Sequence, residues 1–260
     1  MSLTDDIALA QRLADAAGAA IRPWWRAAFA MEDKADASPV TQADREAEEA
    51  IRRILDGERP QDGIIGEEYG ASRPTSTRQW VIDPIDGTTS FIAGRPIFGT
   101  LIALMQDGWP LIGVIDQPIS GERWVGATGQ TTLFNGKPTA TRRCPELSQA
   151  LLATTSPHLF SEHEGEHFIN LAGKVAQRRI IYGGDCYNYG LVASGHVDLV
   201  CESGLKLHDL AALVPVIEGA GGMMCDWNGE PLHAASDGDV LALGDPARLE
   251  DVLEALACSH

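Results

Sequence analysis

The sequence predicts an α+β fold built from two unlike parts. Up to Pro145, alternating apolar segments follow one another with Asp-Gly and Asn-Gly dipeptides between them, the signature of antiparallel strands in series. Beyond Pro145, strand segments alternate with helical periodicities. The change falls near residues 138–148 and divides the chain into an N-terminal α+β lobe, 1–140, and a C-terminal α/β lobe, 141–260.

The elements follow from local pattern. Apolar residues at Ile7, Ala10, Leu13, Ala14, Ala17 and Ile21 repeat at helical spacing, with Thr4 or Asp5 as the expected cap and Pro23 as the stop. A short strand is expected over Ala28 to Lys34, followed by a polar loop. A second helix runs from about Gln42 to Asp56, capped by Thr41, with Asp44 three residues on as in a capping box. Strands are expected at Gly63–Gly66, Gln79–Asp83, Phe98–Gln106, Leu111–Gln117, Arg123–Ala127 and Thr131–Phe134. Asp107-Gly108 joins Phe98–Gln106 to Leu111–Gln117, and Asn135-Gly136 after Phe134 is another turn. In the second lobe, strands at Leu151–Thr155, Arg179–Tyr182, Val197–Cys201 and Val240–Leu243 alternate with helices near Glu162–Lys174, Tyr187–Ser194, Leu207–Gly219 and Pro246–Ala257.

Composition narrows the function. A formal net charge of -17 opposes nucleic acid or an anionic membrane as partner. An acidic protein acting on an anionic substrate needs cations between the two. The five cysteines, Cys144, Cys186, Cys201, Cys225 and Cys258, are scattered without a C-x-x-C pair, which suits a reducing cytoplasm rather than a disulfide framework or a zinc site. The acidic start Met1–Asp6 lacks the order of a signal peptide, and no apolar run reaches the roughly 18 residues of a membrane span.

Chemistry concentrates in Asp83-Pro84-Ile85-Asp86-Gly87-Thr88-Thr89, where an apolar strand is expected to end at Asp83. Two carboxylates three apart, with the Ile85 carbonyl between them, suit a hard cation such as magnesium. Gly87 permits close backbone approach, and a helix starting at Thr88 would offer amides to a phosphate. Taken alone, the segment is also readable as an Asp-capped turn. Glu67 and Glu68 follow a short strand, where alternation would send at most one inward. Asp209 opens an apolar helix and is equally a first-turn cap. The histidines, His158, His163, His167, His196 and His208, are read as surface or packing residues outside any metal-ligand spacing.

The ordered set Gly66-Glu67-Glu68, Asp83 to Thr89, and Asp209-Leu210-Ala211-Ala212 resembles the inositol-monophosphatase-like family of sugar phosphatases. Val40-Thr41-Gln42-Ala43-Asp44 and Gly183–Gly222 extend the likeness over nearly the whole chain. The resemblance implies a layered αβαβα sandwich, a homodimer, and two or three Mg2+ ions per site. By that likeness Glu67, Asp83 and the Ile85 carbonyl hold a first ion, and Asp83, Asp86 and Asp209 a second. Asp44 with Glu67 would hold a weaker third, or Asp44 is only a cap. Gly87, Thr88 and Thr89 would bind phosphate, while Thr88 and Glu67 orient a metal-activated water that attacks phosphorus directly.

The substrate expectation is finer. Ser90 and His208 depart from the Asn and Trp usual in inositol monophosphatases, and the runs Asp86–Leu104, Gly184–Tyr189 and Leu205–Asp209 are similar to the histidinol-phosphatase branch. Asp185, Asn188 and Glu202 would then face the leaving group, whose ammonium and imidazole suit carboxylates and amides; Asp185 is also readable as a cap of the following helix, and Asn188 as a partner of the backbone. The alternatives are an inositol or broad sugar-phosphate phosphatase, a relative acting on nucleotide 3'-phosphates or fructose bisphosphate, and a catalytically silent metal-dependent binding protein.

Overall fold

The computed structural model describes residues 2–27, 32–33 and 39–257. In chain order these form α1 (Leu3–Ile21), β1 (Glu32–Asp33), β2 (Pro39–Val40), α2 (Gln42–Glu58), β3 (Gly63–Gly66), β4 (Gly70–Ser72), β5 (Arg78–Asp86), α3 (Thr88–Ile92), β6 (Gly99–Gln106), β7 (Trp109–Gln117), β8 (Glu122–Ala127), β9 (Leu133–Phe134) and β10 (Lys137–Pro138). There follow β11 (Leu152–Thr154), α4 (Glu162–Lys174), β12 (Ile180–Tyr182), α5 (Asp185–Ala193), β13 (Leu199–Glu202), α6 (Leu207–Leu210), α7 (Leu213–Gly219), β14 (Met223–Cys225), β15 (Val240–Leu243) and α8 (Leu249–Leu256).

Strand pairing gives two sheets beside the small β1–β2 ladder. The larger has the order β10-β9-β8-β7-β6-β5-β3-β4, antiparallel except for the parallel pair β3–β5. The smaller runs β12-β11-β13-β15-β14, with β12, β11 and β13 parallel and β15 antiparallel to both neighbours. Side-chain alternation then sorts five layers. On β5 and β6, Trp80, Ile82, Ile102 and Leu104 pack with Leu9, Leu13, Ile51 and Leu55 of α1 and α2. The opposite set, Val81, Leu101, Ala103 and Met105, packs with Tyr189, Val192, Leu210 and Val216 of α5–α7, which also meet Val200 and Ala242 of the second sheet. The far face of that sheet buries Leu199, Cys201 and Leu241 against Phe168 and Leu171 of α4 and Val252 of α8. The result is the αβαβα sandwich that the resemblance implies.

Local expectations are met unevenly. Thr41 caps α2, and Asp44 returns its carboxylate to the Thr41 amide at 2.8 Å. The two hairpin dipeptides have left-handed backbones, φ 52° and 84° at Asp107-Gly108 and 47° and 77° at Asn135-Gly136, as type I′ turns require. Helix α1, however, is capped by Ser2 with Asp5 completing the box, rather than by Thr4 or Asp5. Ser2 lies one turn ahead of the first buried position, and periodicity alone does not register an exposed first turn. The expected helix Leu207–Gly219 is two helices, since Asp209 caps its own short turn before α7 begins. Strands β4, β10 and β14, two or three residues long, carry too little alternation to be seen in sequence. Of the strand expected over Ala28–Lys34 only Glu32 and Asp33 lie within the described residues.

The middle helices dock on the large sheet through two glycines that pair across β7 and β8, Gly113 and Gly126. A Cβ on Gly113 would lie 1.9 Å from the Ala212 carbonyl oxygen, and one on Gly126 would lie 2.2 Å from that of Pro215. Their absent side chains form the trough that receives α7. Gly113→Ala and Gly126→Ala are each expected to lower unfolding free energy by about 1–3 kcal/mol in urea titration. Gly57→Ala, in a helix with nothing within 4 Å of the added Cβ, is the control and should stabilise slightly.

Candidate active site

The backbone of β5 places the carboxylates. Asp83 has the parity of Val81 and therefore faces the middle layer. Between Asp83 and Asp86 the register with β6 breaks: Asp83 pairs Leu101 and Asp86 pairs Gly99, so three steps on one strand oppose two on the other. This one-residue bulge turns Ile85 back into the α1/α2 core and returns Asp86 to the same face as Asp83. Pro84 costs no ladder bond there, and its carbonyl accepts the Thr100 hydroxyl at 2.7 Å. The strand thus continues through Asp86 and does not end at Asp83 as expected. Asp83 Oδ1 accepts the Ile85 amide at 3.0 Å, and the Ile85 carbonyl accepts the Thr88 hydroxyl at 3.1 Å. Gly87, at φ 85°, opens the short helix α3.

Glu67 and Glu68 lie on the turn after β3, not on a strand, so alternation does not govern them. Their position is set by Glu48, a buried residue of α2 whose carboxylate accepts the Glu68 amide at 2.8 Å and the Tyr69 amide at 3.2 Å. Arg52 donates to the same carboxylate at 2.7 Å. Gly66 makes room for it: a Cβ there would meet Glu48 Oε1 at 1.9 Å.

Around this frame, oxygen atoms converge. Asp83, Asp86 and Asp209 offer ligand atoms within 4.8 Å of one another, and so do Glu67, Asp83 and His208. Asp83 belongs to both groups. Asp209 Oδ2 accepts the Lys206 amide at 2.7 Å, and its other oxygen lies 3.6 Å from His208 Nε2. His208 is therefore part of the cluster, contrary to its reading as a packing residue. Its α6 turn folds it over Glu67 and Asp83, a placement that linear spacing does not encode. Asp44 spends one oxygen on its cap, while buried Oδ1 has no hydrogen-bond partner.

Burial and mutual repulsion raise these carboxyls. Asp83 lies well above its ordinary value through burial and the charges of Glu67, Asp86 and Asp209. Asp86 does likewise through burial, Asp185 and Asp209. Burial and nearby Glu68 and Glu67 lift Asp44 to about 6, against the lowering bonds from Thr41. Crowded buried carboxylates with an unpartnered oxygen are a donor set suited to hard cations.

Beside this cluster lies a cavity of about 290 Å3, lined by Asp86 and by residues between Thr154 and Leu213. Asp86 Oδ2 accepts the Cys186 amide at 2.5 Å, tying β5 to α5. Asp185 is the first residue of α5 rather than its cap, held at φ 43° with its carboxylate 3.1 Å from the Ser90 hydroxyl. A Cβ on Gly87 would strike Asp185 Oδ2 at 2.6 Å, so glycine admits Asp185 to the site. Burial raises Asp185 to about 6. Glu202, also lining the cavity, accepts the Thr155 amide at 2.8 Å and the Tyr189 hydroxyl at 3.0 Å, and burial raises it to about 7. Asn188 is buried beneath and donates to the Gly183 carbonyl at 3.2 Å; it does not line this cavity. Glu48, Ser90, Thr100, Thr155 and His208 were not singled out from sequence as site residues, because each acts only through tertiary contacts.

The sequence pattern of the inositol monophosphatase family matches residues 2–259. The chain belongs to that family. Among its relatives, the bifunctional phosphatase IMPL2 of Arabidopsis thaliana, a chloroplastic protein, is 50% identical over 96% of this chain and 74% of its own length. The histidinol-phosphatase of Mycobacterium tuberculosis is 39% identical over 86% of this chain and 88% of that protein. An inositol monophosphatase structure from Zymomonas mobilis superposes with a TM-score of 0.91 at 55% identity, covering 98% of this chain and 99% of that one. The protein is thus a phosphoric monoester hydrolase of the inositol monophosphatase family. Among the described residues no helix is long and apolar enough to cross a membrane.

Two outcomes test the geometry. Gly66→Ala, by displacing Glu48 and with it the Glu67 turn, should cut phosphate release about a hundredfold, measured as kcat with the fold monitored by circular dichroism. A carboxyl raised on folding contributes stability below its unfolded value and loses it as pH rises through the folded one. For Glu202 that window runs from 4.5 to about 7. The stability difference between wild type and Glu202→Gln should therefore fall by about 2–3 kcal/mol from pH 4.5 to pH 7.5 in metal-free chemical denaturation.

Proposed function

We propose that this enzyme hydrolyses L-histidinol phosphate to L-histidinol and phosphate, as a magnesium-dependent cytoplasmic homodimer serving histidine biosynthesis. The observation that carries the reading is the acidic wall beyond the carboxylate cluster, formed by Asp185 and Glu202 around the cavity. Arg95 partly balances Asp185, and Lys206 also lines the cavity; a polyol adds no positive charge beside the more deeply buried Glu202, whereas the ammonium and imidazole of histidinol supply it. A bound cation also favours the ionised form of Glu202, offsetting the burial that raises its pKa.

Both lobes, 1–140 and 141–260, contribute to the site. Glu67, Asp83 and the Ile85 carbonyl would hold one Mg2+, and Asp83, Asp86 and Asp209 a second. The unpartnered Asp44 oxygen, with Glu67, suits a third. Bound magnesium supplies charge neutralisation at the phosphate and acidification of water. The amides of Gly87 and Thr88 and the Thr89 hydroxyl bind phosphate oxygens. Thr88, donating its hydroxyl proton to the Ile85 carbonyl, presents its lone pairs to the attacking water. Glu67 accepts the water's second hydrogen and fixes its direction in line with the leaving oxygen. Asn188 acts from beneath, holding the Gly183 carbonyl and the backbone that presents Asp185.

A broader reading, hydrolysis of inositol or sugar monophosphates, is favoured by the hydroxyls of Thr155 and Ser203 in the same cavity and by the inositol monophosphatase from Zymomonas mobilis. A phosphate-release panel separates the two. Histidinol phosphate should be hydrolysed with the highest kcat/KM and inositol 1-phosphate at least about tenfold more slowly; equal rates would favour the broad phosphatase. Asp185→Ala should raise KM for histidinol phosphate about tenfold or more while sparing a generic aryl phosphate. Asp83→Asn, or chelation of divalent ions, should abolish release from every substrate.

A further inference from the structure

A second group of metal-ligating side chains lies outside the active cavity. Helix α4 carries His163-Glu164-Gly165-Glu166-His167, and the i,i+4 spacing sets both imidazoles on one face. Their Nε2 atoms are 3.1 Å apart, so the reading of these histidines as lying outside any metal-ligand spacing is corrected. They border a cavity of about 400 Å3 with Glu164, Trp227 and Asp239, none of which lines the active cavity.

The ring orientations follow from a third contact. His167 Nδ1 lies 2.5 Å from the carbonyl oxygen of Leu256, the last residue of α8. A carbonyl only accepts, so Nδ1 carries the proton, and in the neutral ring Nε2 keeps its lone pair toward His163. An imidazole that donates its other N–H to a backbone carbonyl is the usual arrangement of a metal-ligating histidine. Two such nitrogens on a tetrahedral ion, at about 2.0–2.1 Å each, stand about 3.3 Å apart. The observed separation needs only a few tenths of an ångström of adjustment. Trp227 meets the His167 ring nearly edge to face at a centroid distance of 5.8 Å and limits its rotation.

We propose that His163 and His167 form a chelating site for a borderline transition ion of the zinc, nickel or copper class, distinct from the oxygen-ligand centre of the active site. Imidazole pairs select such ions over magnesium. Glu164 does not make this a hydrolytic centre, because its carboxylate accepts the Ser161 amide at 2.6 Å and so completes the capping box of α4. Coordination instead fastens α4 to the end of α8 through the His167–Leu256 bond and stabilises the outer layer of the C-terminal lobe.

Zinc titration by calorimetry and thermal unfolding, with magnesium in large excess, tests the site on the full chain. Wild type should bind one zinc per chain more than His163→Ala, and its Tm should rise with zinc where that of the variant does not. His163 is exposed, so the variant keeps its fold, and its magnesium-dependent phosphate release should match wild type. With Cu2+ as probe, the electron paramagnetic resonance spectrum should lose one imidazole nitrogen coupling in His163→Ala. Equal zinc stoichiometry and equal Tm gain in wild type and variant would overturn the proposal and reduce the pair to an N–H···N hydrogen bond.

Discussion

The site depends on one extra residue in β5. Without the bulge at Pro84–Ile85, a regular strand would send Asp83 and Asp86 to opposite faces, and the two carboxylates could not share an ion. The bulge is fixed from both sides: Thr100 holds the Pro84 carbonyl, and Ile85 fills the α1/α2 core. Hydrophobic burial of a single isoleucine thus stabilises an arrangement of like charges that electrostatics alone opposes. The raised pKa values of Asp83 and Asp86 record that opposition.

The groups around this cluster reach it by similar substitutions of space for charge. Gly66 admits the carboxylate of Glu48, which sets the Glu67 turn, and Gly87 admits that of Asp185. At the third contact Gly99 leaves room for Cys186, whose Sγ would lie 2.6 Å from an added Cβ. In each case a missing side chain on one element lets a polar or sulfur-bearing group from another approach the backbone. The family relationship fits this construction, since the elements that supply the groups come from every part of the chain.

Some of this was legible in sequence and some was not. The capping box of Thr41 and Asp44 and the two glycine hairpins are local, and the residues alone determine them. The motif from Asp83 to Thr89 was legible as chemistry but not as geometry, because a bulge leaves no mark in composition: Asp-x-x-Asp reads as a turn until the register with β6 is known. Glu48 was invisible for a different reason. On α2 it shares the buried face of Ala47, Ile51 and Leu55, but its role as acceptor for the Glu68 and Tyr69 amides depends on the approach of Gly66, which sequence does not show. His208 entered the cluster because Asp209 caps a separate turn, which a continuous helix reading had merged with α7.

The bond from the Cys186 amide to Asp86 has a mechanical meaning. It ties the large sheet to the middle helices at the point where the carboxylates converge, so the spacing of those carboxylates and the seating of α5 on β5 are a single variable. A rotation of α5 away from β6 would part Asp86 from its anchor and carry Asp185 away from Gly87 in the same movement. Whatever draws the carboxylates together therefore acts as a clasp between the large sheet and the middle helices. The five layers, conversely, serve as a caliper that sets the distance at which an ion can be gripped.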